Sequence, residues 1–459
     1  MSSGVPFSRI LIANRGEIAI RIMRACHEMG IRSIAVFSDV DKDALHVGYA
    51  DEAHLIGGVS ARESYLDIDK ILSVALQTGA GAIHPGYGFL SENPAFAEAC
   101  QNRGIVFIGP TAGALRSVGN KIAARHTAQR CGVPVVPGSI AGLNGHTEAA
   151  AIAETIGYPV LLKAAAGGGG KGMRTACSKA ELRQALDVAA READHAFGDP
   201  SLYVEKLVDP ARHVEVQLLA DHFGNVVHLG ERDCSIQRRF QKVIEESPSP
   251  AVNGDLRNRI TAAAITLAKA IGYRNAGTVE FLVDGDRFYF IEVNARLQVE
   301  HPVTEMVTGV DLVKEQILVA GGLPLRFRQE DVLFRGAALQ ARIYAENPAY
   351  NFLPSPGIVS AVTEPSGPGI RIDSGITTGS AVPVEYDGLL SKLVSWGSTR
   401  PEAIDRMKRA LDDYGVYGVH TTIPFKRYVL ECPAFQSGHY DTGFVASVIQ
   451  DWKRSCSRT

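Results

Sequence analysis

The stretch GTVEFLVDGDRFYFIEVNARLQVEHP occupies residues 277–302 and holds two apolar segments on either side of Asp284-Gly285. An Asp-Gly pair between strand-like segments is a strong signal for a tight β-hairpin. Residues 277–283 and 288–292 are therefore predicted to be its strands. In such a hairpin Glu280 and Glu292 can face one another across the two strands.

Acidic and amide side chains share one face of this hairpin. Asn294 lies two residues beyond Glu292 and points the same way, whereas Phe281 and Ile291 indicate that the opposite face is core. Two carboxylates and an amide oxygen are hard ligands suited to Mg²⁺. The alternative is an exposed hairpin face, but facing carboxylates repel unless a cation lies between them. Glu280, Glu292 and Asn294 are therefore predicted metal ligands.

Polar residues alternate immediately after the hairpin, in Arg296-Leu297-Gln298-Val299-Glu300. In an extended chain Arg296, Gln298 and Glu300 point to the same side. An arginine can hold a carbonate-like anion with two parallel hydrogen bonds, and a nearby glutamate can act as a general base. The segment alone is a weak motif. Its position directly after the predicted metal-binding strand indicates an anion site.

A glycine-rich segment, KAAAGGGGKGM, occupies residues 163–173. Consecutive glycines let backbone N–H groups approach phosphate oxygens, and Lys163 at the end of a predicted strand supplies a positive charge. The segment lacks the GxxxxGK[ST] pattern of a P-loop. A flexible linker is the alternative, but two lysines and two predicted strands bracket the glycines. We predict a mobile flap that covers phosphate groups.

Two further segments carry weaker signals. Residues 232–242, RDCSIQRRFQK, concentrate cationic and amide groups that suit a polyphosphate, and a solvated basic loop is the alternative. Cys234 within this segment is interpreted as a small packing residue. Residues 84–92, HPGYGFLSE, form a glycine-rich loop after a strand, which a structural role explains equally well.

The chain divides into three regions. Residues 1–115 alternate strands and helices, with a strand at 9–13, a helix at 18–29 and a strand at 33–37, which predicts a small doubly wound α/β domain. The region from about 120 to about 330 mixes helices and strands in an α+β arrangement. Beyond about residue 335 the chain has short strands, Gly- and Pro-rich turns and one predicted helix at 401–414.

The composition excludes several classes of protein. A chain of 459 residues with 46% hydrophobic and 21% charged residues is typical of an ordinary multidomain globular protein. The net charge of -3 gives no reason to expect nucleic acid or an anionic membrane as a partner. Seven scattered cysteines without a CxxC pair argue against a disulfide framework or a structural zinc site. With no apolar signal segment, a cytoplasmic location is expected.

Several segments occur in order and together resemble the biotin carboxylase family of ATP-grasp enzymes across essentially the whole chain: NRGEIAIRI, HPGYGFLSEN, KAAAGGGGKGM, EKLVDPARHVEVQ, ERDCSIQRRFQKVIEESP, GTVEFL, FIEVNARLQVEHPVTE and ALQARIYAENP. The resemblance implies an α/β and α+β multidomain protein. It places a Rossmann-like domain at 1–115, an ATP-grasp domain at 116–330 with a hinged lid at about 135–205, and a mixed, β-rich C-terminal domain at 331–450. It also implies a homodimer.

The same resemblance implies roles for individual residues. The residues expected to bind ATP are Lys121, Lys163, Gly168, Gly169, Gly170, Glu205, Lys206, Val208, His213 and Gln237. Two divalent ions, Mg²⁺ or Mn²⁺, are expected at Glu280, Glu292 and Asn294. Bicarbonate is assigned to Lys242, Arg296, Gln298 and Val299, with Glu300 as its base. The biotin side is assigned to Arg342, which is expected to stabilise the biotin enolate, and to Tyr87 and Glu92.

The implied reaction is the carboxylation of biotin on a separate carrier protein, with ATP and bicarbonate, through carboxyphosphate. A partner carboxyltransferase would complete an acyl-CoA carboxylase. Acetyl-CoA, as in fatty acid biosynthesis, is the first expectation, and propionyl-CoA, another acyl-CoA or pyruvate are alternatives. Another ATP-grasp carboxylate–amine ligase and a non-enzymatic nucleotide-binding scaffold are the rival interpretations. The RLQVEHPVTE segment favours bicarbonate and biotin, and the sequence retains each expected metal ligand and the base.

Overall fold

The computed structural model describes residue 4 and residues 6–139, 141–143, 145–165 and 172–456. Its N-terminal region alternates strands and helices: β1 (Arg9–Ile12), α1 (Gly16–Glu28), β2 (Arg32–Phe37), α2 (Leu45–Tyr49), β3 (Glu52–Leu55), α3 (Ile68–Thr78), β4 (Ala82–His84), α4 (Pro94–Asn102), β5 (Val106–Phe107) and α5 (Ala112–Gly119). The strands form a parallel sheet in the order β3-β2-β1-β4-β5.

Strand β1 shows why this sheet is covered on both faces. Ile10 and Ile12 pack with the apolar side of α1, whereas Leu11 and Ala13 pack with α3 and α4. Successive side chains of a strand point to opposite faces, so an uninterrupted apolar strand requires helices on both sides. The predicted doubly wound arrangement is therefore confirmed.

The central region consists of α6 (Lys121–Arg130), α7 (His146–Ile156), β6 (Val160–Ala164), β7 (Arg174–Ala176), α8 (Lys179–Phe197), β8 (Leu202–Lys206), β9 (Arg212–Ala220), β10 (Val226–Arg238), β11 (Gln241–Ser247), α9 (Gly254–Ala270), β12 (Asn275–Asp284), β13 (Arg287–Asn294), α10 (His301–Thr308) and α11 (Leu312–Ala320). Strands β7, β6 and β8 form a small antiparallel sheet, which packs against α7 and α8. The hairpin predicted around Asp284-Gly285 is confirmed as β12 and β13, with Gly285 at φ 57°.

The C-terminal region consists of β14 (Ala337–Tyr344), β15 (Glu346–Asn347), β16 (Leu353–Pro354), β17 (Gly357–Ile358), β18 (Ala361–Thr363), β19 (Ile370–Ser374), β20 (Ala381–Val382), β21 (Leu389–Gly397), α12 (Arg400–Asp413), β22 (Gly415–Tyr417), α13 (Ile423–Glu431), α14 (Pro433–Gln436) and α15 (Phe444–Cys456). The prediction of a single helix here was wrong. Pro424 and Pro433 lie in the first turns of α13 and α14. Proline is well tolerated in a first helical turn, although it also signals loops.

One large sheet connects the central and C-terminal regions. Its order is β13-β12-β9-β10-β11-β14-β21-β19, and neighbouring strands are antiparallel. Apolar clusters cover it, with α6 and α9 against one end and α12, α13 and α15 against the other. The pairing of β11 with β14 brings side chains of the C-terminal region into contact with those of the central region. Among the described helices, none combines the length and apolar character needed to cross a membrane.

Candidate active site

A cavity of about 1080 Å³ lies between the small β6–β8 sheet, the large sheet and α15. Of the predicted site residues that the structure describes, all but Tyr87 line this cavity. The glycines of the predicted flap, at 168–170, lie outside the described residues. The fold therefore brings the predicted nucleotide, metal, bicarbonate and Arg342 positions into one space.

The β12–β13 hairpin brings the predicted metal ligands together. Glu280 pairs directly with Glu292 across the two strands. The Asn294 amide donates to Glu280 Oε1 over 2.9 Å. A β-bulge between Glu280 and Phe281 shifts the register, so Phe281 stays in the core while Ile291 lines the cavity. The expectation that Ile291 lies on the core face was therefore wrong.

Cationic side chains surround these two carboxylates. Lys121 Nζ lies 2.6 Å from Glu292 Oε2, and His213 Nε2 lies 3.0 Å from Glu280 Oε2. Lys242 Nζ donates to Glu280 Oε1 over 3.0 Å. Positive charge thus offsets the repulsion between the facing carboxylates. A donor set of carboxylate and amide oxygens fits a divalent ion, which supplies charge neutralisation for phosphate oxygens when it is bound.

The small sheet contributes a second charged group, centred on Glu205 of β8. Lys163 Nζ lies 2.6 Å from Glu205 Oε2, and Arg125 of α6 donates to Glu205 Oε1. Lys206 instead donates to two backbone carbonyls just before β6, over 3.1 and 2.8 Å. The Lys163 side chain is 9% exposed. Lys163 therefore has its charge at the cavity wall while a carboxylate holds it in place.

Lys242 on β11 joins the metal side of the cavity to the predicted base. Its ammonium group donates to Glu215 Oε2 over 2.6 Å, to Glu280 Oε1 over 3.0 Å and to Glu300 Oε1 over 2.5 Å. Glu215 on β9 is in register with Glu280 on β12. Carboxylates from two strands and from the start of α10 thus share one cation, which fixes their relative positions.

Arg342 on β14 holds the other oxygen of the same base. Its Nη2 donates to Glu300 Oε2 over 3.0 Å, and its Nε donates to Glu245 Oε1 over 2.5 Å. Glu245 lies on β11, the strand that pairs with β14. The Glu300 carboxylate, 2% exposed, is therefore bound by Lys242 through one oxygen and by Arg342 through the other.

Residues 295–300 form an irregular connection rather than an extended strand, because α10 begins at His301. Arg296, Gln298 and Glu300 nevertheless all line the cavity, as does Val299. Arg296 Nε donates to Glu92 Oε2 over 2.9 Å. Gln298 Nε2 donates over 3.1 Å to Glu280 Oε1, which also accepts from Lys242. A turn, and not the alternation of an extended strand, therefore brings the predicted anion-binding groups together.

The biotin side is only partly assembled as predicted. Glu92 lines the cavity through its contact with Arg296. Tyr87 does not line the cavity and is half-buried. Its hydroxyl has no hydrogen-bond partner in the described part of the chain, and its ring centroid lies 5.7 Å from Lys392 Nζ.

Buried charged residues that were given no individual role from the sequence hold the site together. Arg232 is fully buried and donates to Glu215 Oε1 over 2.6 Å and to Gln298 Oε1 over 2.8 Å. Glu245 is also fully buried. A signal was present, because Glu215 lies between Val214 and Val216 on a buried strand. A carboxylate inside such a strand requires a buried cation.

The charges in the cavity set the protonation of the predicted base. Burial would raise the pKa of Glu300, but Lys242, Arg342 and Arg232 outweigh burial and hold that pKa well below its ordinary value. Glu300 is therefore ionised at neutral pH. Burial raises the pKa of the Cys234 thiol well above its ordinary value, which agrees with its interpretation as a packing residue.

Family models match the chain in three consecutive segments. Residues 6–115 match "Biotin carboxylase, N-terminal domain", residues 120–328 match "Carbamoyl-phosphate synthase L chain, ATP binding domain", and residues 340–447 match "Biotin carboxylase C-terminal domain". The expected architecture of a Rossmann-like domain, an ATP-grasp domain and a C-terminal domain is therefore confirmed.

Individual proteins are similar over nearly the full length. The chain is 53% identical to Biotin carboxylase 1 of Bacillus subtilis, covering 95% of this chain and 98% of that protein. It is also 53% identical to a pyruvate carboxylase subunit of Methanothermobacter thermautotrophicus, covering 96% of this chain and 89% of that protein.

Solved structures give the same result. A biotin carboxylase–β-γ-ATP complex from Campylobacter jejuni has a TM-score of 0.94 at 48% identity, covering 96% of this chain and 99% of that one. The biotin carboxylase domain dimer of Hydrogenobacter thermophilus 2-oxoglutarate carboxylase, solved with MgADP, ADP and bicarbonate, has a TM-score of 0.95 at 45% identity, covering 97% and 98%. The resemblance is thus confirmed, and the chain belongs to the biotin carboxylase family of ATP-dependent ligases.

Proposed function

We propose that this chain uses ATP and bicarbonate to carboxylate biotin on a separate carrier protein through carboxyphosphate. The observation that carries the proposal is the position of Glu300. Lys242 links one of its oxygens to the metal-side carboxylate Glu280, and Arg342 binds its other oxygen. These contacts support a base that acts between the proposed phosphate side and the proposed biotin side of one cavity.

The first step is the activation of bicarbonate. Bicarbonate is proposed to bind Lys242, Arg296, Gln298 and Val299. A bound anion pairs with Lys242 and so weakens the positive charge that acts on Glu300. The pKa of Glu300 then rises, and its carboxylate can accept the bicarbonate proton. A bicarbonate oxygen then attacks the γ-phosphorus of ATP, which gives carboxyphosphate and ADP.

Neutralisation of the transferring phosphoryl group is proposed to supply most of the acceleration. Lys121 and Lys163 would turn from their carboxylate partners to phosphate oxygens. Glu280, Glu292 and Asn294 would hold two divalent ions, Mg²⁺ or Mn²⁺. Glu205, Lys206, Val208, His213 and Gln237 would bind the rest of the nucleotide, and the glycine flap would exclude water from the intermediate.

The second step is carboxyl transfer. Carboxyphosphate breaks down to CO₂ and phosphate within the cavity, and the phosphate takes the N1′ proton of biotin. The N1′ nitrogen then attacks the carbon of CO₂, which gives carboxybiotin. Arg342 is proposed to stabilise the negative charge that develops on the ureido oxygen. Its pairing with Glu245 and Glu300 fixes the orientation of the guanidinium plane, which supports this role.

The reaction is tested by ADP release. We expect ADP formation to require bicarbonate and to rise when free biotin is added. ADP release that ignores both compounds but responds to an amine would favour the rival carboxylate–amine ligase. Absence of ATP turnover with every metal ion tried would favour the nucleotide-binding scaffold.

The final acceptor is proposed to be acetyl-CoA, served by a separate biotin carrier and a carboxyltransferase. Pyruvate is a second candidate, because the relative from Methanothermobacter thermautotrophicus, which belongs to a pyruvate carboxylase, is as similar as Biotin carboxylase 1 of Bacillus subtilis. Affinity purification of the native chain identifies its carrier and transferase. Reconstitution with these partners should then consume either acetyl-CoA or pyruvate, and consumption of pyruvate alone would reject the first choice.

We also propose the domain bounds 1–115, 116–330 and 331–450, a homodimer and a cytoplasmic location. The dimer is supported by the Hydrogenobacter thermophilus relative, whose biotin carboxylase domain was solved as a dimer. Sedimentation of the full chain tests this proposal, and a single monomeric species at micromolar concentration would reject it.

A further inference from the structure

A lysine side chain is buried beside β14, outside the groups described so far. Lys426 on α13 is 1% exposed, although lysines are rarely buried this fully. Its Nζ donates to Thr422 Oγ1 over 2.6 Å. A cavity of about 20 Å³ adjoins both residues, which is enough for one water-sized molecule. A buried ammonium group costs free energy, so its presence calls for a functional explanation.

Thr422 links this lysine to the strand that carries Arg342. The Thr422 backbone N–H donates to Tyr344 O over 3.1 Å, and its hydroxyl accepts from the Tyr344 N–H over 3.1 Å. The hydroxyl also donates to the Arg342 carbonyl over 3.4 Å. The register of β14 against β21 shifts between Ile343 and Tyr344. Thr422 therefore holds the backbone where the regular strand pairing is interrupted.

We propose that Lys426 is a positioning residue for Arg342 and that it acts through the Thr422 hydroxyl. An ammonium group only donates hydrogen bonds, so protonated Lys426 leaves the hydroxyl proton directed at the Arg342 carbonyl. A neutral amine can accept that proton, which removes the bond to Arg342. This inference rests on the proposed function, because it concerns the role of Arg342 in carboxyl transfer to biotin.

The surroundings of Lys426 make both protonation states accessible near neutral pH. Burial lowers the pKa of Lys426 to about 7, and the nearby carboxylates of Glu346 and Glu245 offset only part of that effect. The titratable and charged groups that face it are Arg238 and Lys242 from β10 and β11, Tyr344 and Arg342 from β14, Glu245 from β11 and Glu346 from β15.

The test compares two activities of the full chain in Lys426→Met, Thr422→Val and Thr422→Ser. Thr422→Val removes the hydroxyl and should lower kcat for biotin carboxylation roughly 10-fold. Lys426→Met keeps the hydroxyl and should carboxylate biotin within about two-fold of wild type near pH 6. Both variants should leave bicarbonate-dependent ADP formation without biotin within about two-fold. The double variant Lys426→Met/Thr422→Val should be as slow as Thr422→Val and no slower, because Lys426 acts only through the hydroxyl. Thr422→Ser keeps the hydroxyl and should restore carboxylation.

The pH dependence separates this role from simple packing. The ratio of wild-type to Lys426→Met carboxylation should be near one at about pH 6, where Lys426 is protonated, and should fall below one as the pH rises through about 7. The neutral amine then takes the Thr422 hydroxyl proton, which methionine cannot do. Every other titrating group is present in both proteins, so its effect on the carboxylation rate cancels in this ratio.

Several outcomes would overturn the proposal. These are an unchanged carboxylation rate in Thr422→Val, equal losses of both activities in that variant, a ratio of wild type to Lys426→Met that does not vary with pH, or failure of both Lys426→Met and Thr422→Val to fold. Failure of the proposed function is distinguishable, because wild-type protein would then carboxylate no biotin at all.

Discussion

The Glu300 carboxylate meets the ammonium group of Lys242 on one oxygen and the guanidinium group of Arg342 on the other. This arrangement keeps it ionised before substrate arrives, because the cations outweigh the effect of burial on its pKa. An ionised carboxylate is the state that a general base needs. We propose that bicarbonate restores its basicity by competing for the same cations.

Glu300→Gln tests this role at the level of one oxygen atom. The amide keeps the shape but cannot take a proton, so bicarbonate-dependent ADP formation should fall by about 10² to 10³-fold. ATP affinity, measured by calorimetry, should stay within about three-fold, since the ATP-binding groups are unchanged. Glu364→Gln, an exposed carboxylate, is the control and should behave as wild type. Normal turnover in Glu300→Gln would remove this residue from the role.

Arg342→Ala tests the assignment of the biotin side. The change removes the proposed partner of the ureido oxygen and one of the two cations on Glu300. Biotin carboxylation should therefore fall by about 10²-fold or more, and bicarbonate-dependent ADP formation by a smaller factor. The two losses are compared by measuring carboxylation in the presence of biotin and ADP formation in its absence. Equal losses in both assays would count against the assigned role.

At the scale of elements, local patterns predicted the strands that carry the proposed metal ligands. The Asp284-Gly285 turn and the alternation around it were sufficient for β12 and β13. The pairing of β11 with β14 was not predicted. Long-range strand pairing depends on packing partners far apart in the chain, and no local motif reports it.

That unpredicted pairing determines where Arg342 lies. Glu245 of β11 contacts it across the sheet, and Gly336 lets β14 begin close to Gly397 of β21. Gly336 has φ 68°, and a Cβ at this position would overlap with the Gly397 carbonyl oxygen. Backbone atoms cannot give way as a flexible side chain can, so the start of β14 would have to move.

Gly336→Ala should consequently lower the free energy of unfolding by about 3 kcal/mol or more, and also lower carboxylation in the folded fraction. Gly322→Ala is the matched control. It also has positive φ, 84°, but nothing lies within 4 Å of the added Cβ. It should cost only about 1 kcal/mol. Urea unfolding measures both, and similar losses in the two variants would reject the close approach as the cause.

At the scale of the molecule, a buried ion network connects the three regions. Glu305 of α10 accepts from Arg21 of α1 over 2.9 Å and from Arg371 of β19 over 2.7 Å. Burial would raise the pKa of Glu305, but these arginines hold it at about 2, below the ordinary 4.5. The carboxylate therefore contributes stability that is present above pH 4.5 and is lost as the pH falls toward 2.

Glu305→Gln should lower the free energy of unfolding by about 2–4 kcal/mol at neutral pH, because it removes the charge that both arginines share. The difference from wild type should shrink as the pH falls below about 4.5. Glu330→Gln, an exposed carboxylate, should change stability by less than about 0.5 kcal/mol at every pH. A difference that is constant with pH would show that Glu305 acts through packing and not through its charge.

Sequence reasoning located most of the groups that line the cavity but not those that hold them. Motifs contain residues that line the cavity, such as Glu280 and Glu300. The buried partners Arg232, Glu215 and Glu245 lie inside strands, where a charge has meaning only once its partner from another strand is known. Tyr87 shows the opposite case, since it belongs to a motif but lies outside the cavity lining.

The central claim is that one cavity lets ATP activate bicarbonate for transfer to biotin. It is tested most directly by turnover with ¹⁸O-labelled bicarbonate and analysis of the inorganic phosphate by mass spectrometry. Attack by a bicarbonate oxygen on the γ-phosphorus predicts that ¹⁸O appears in the phosphate in proportion to the carboxybiotin formed. Phosphate that carries oxygen only from water, while biotin is carboxylated, would contradict the carboxyphosphate route.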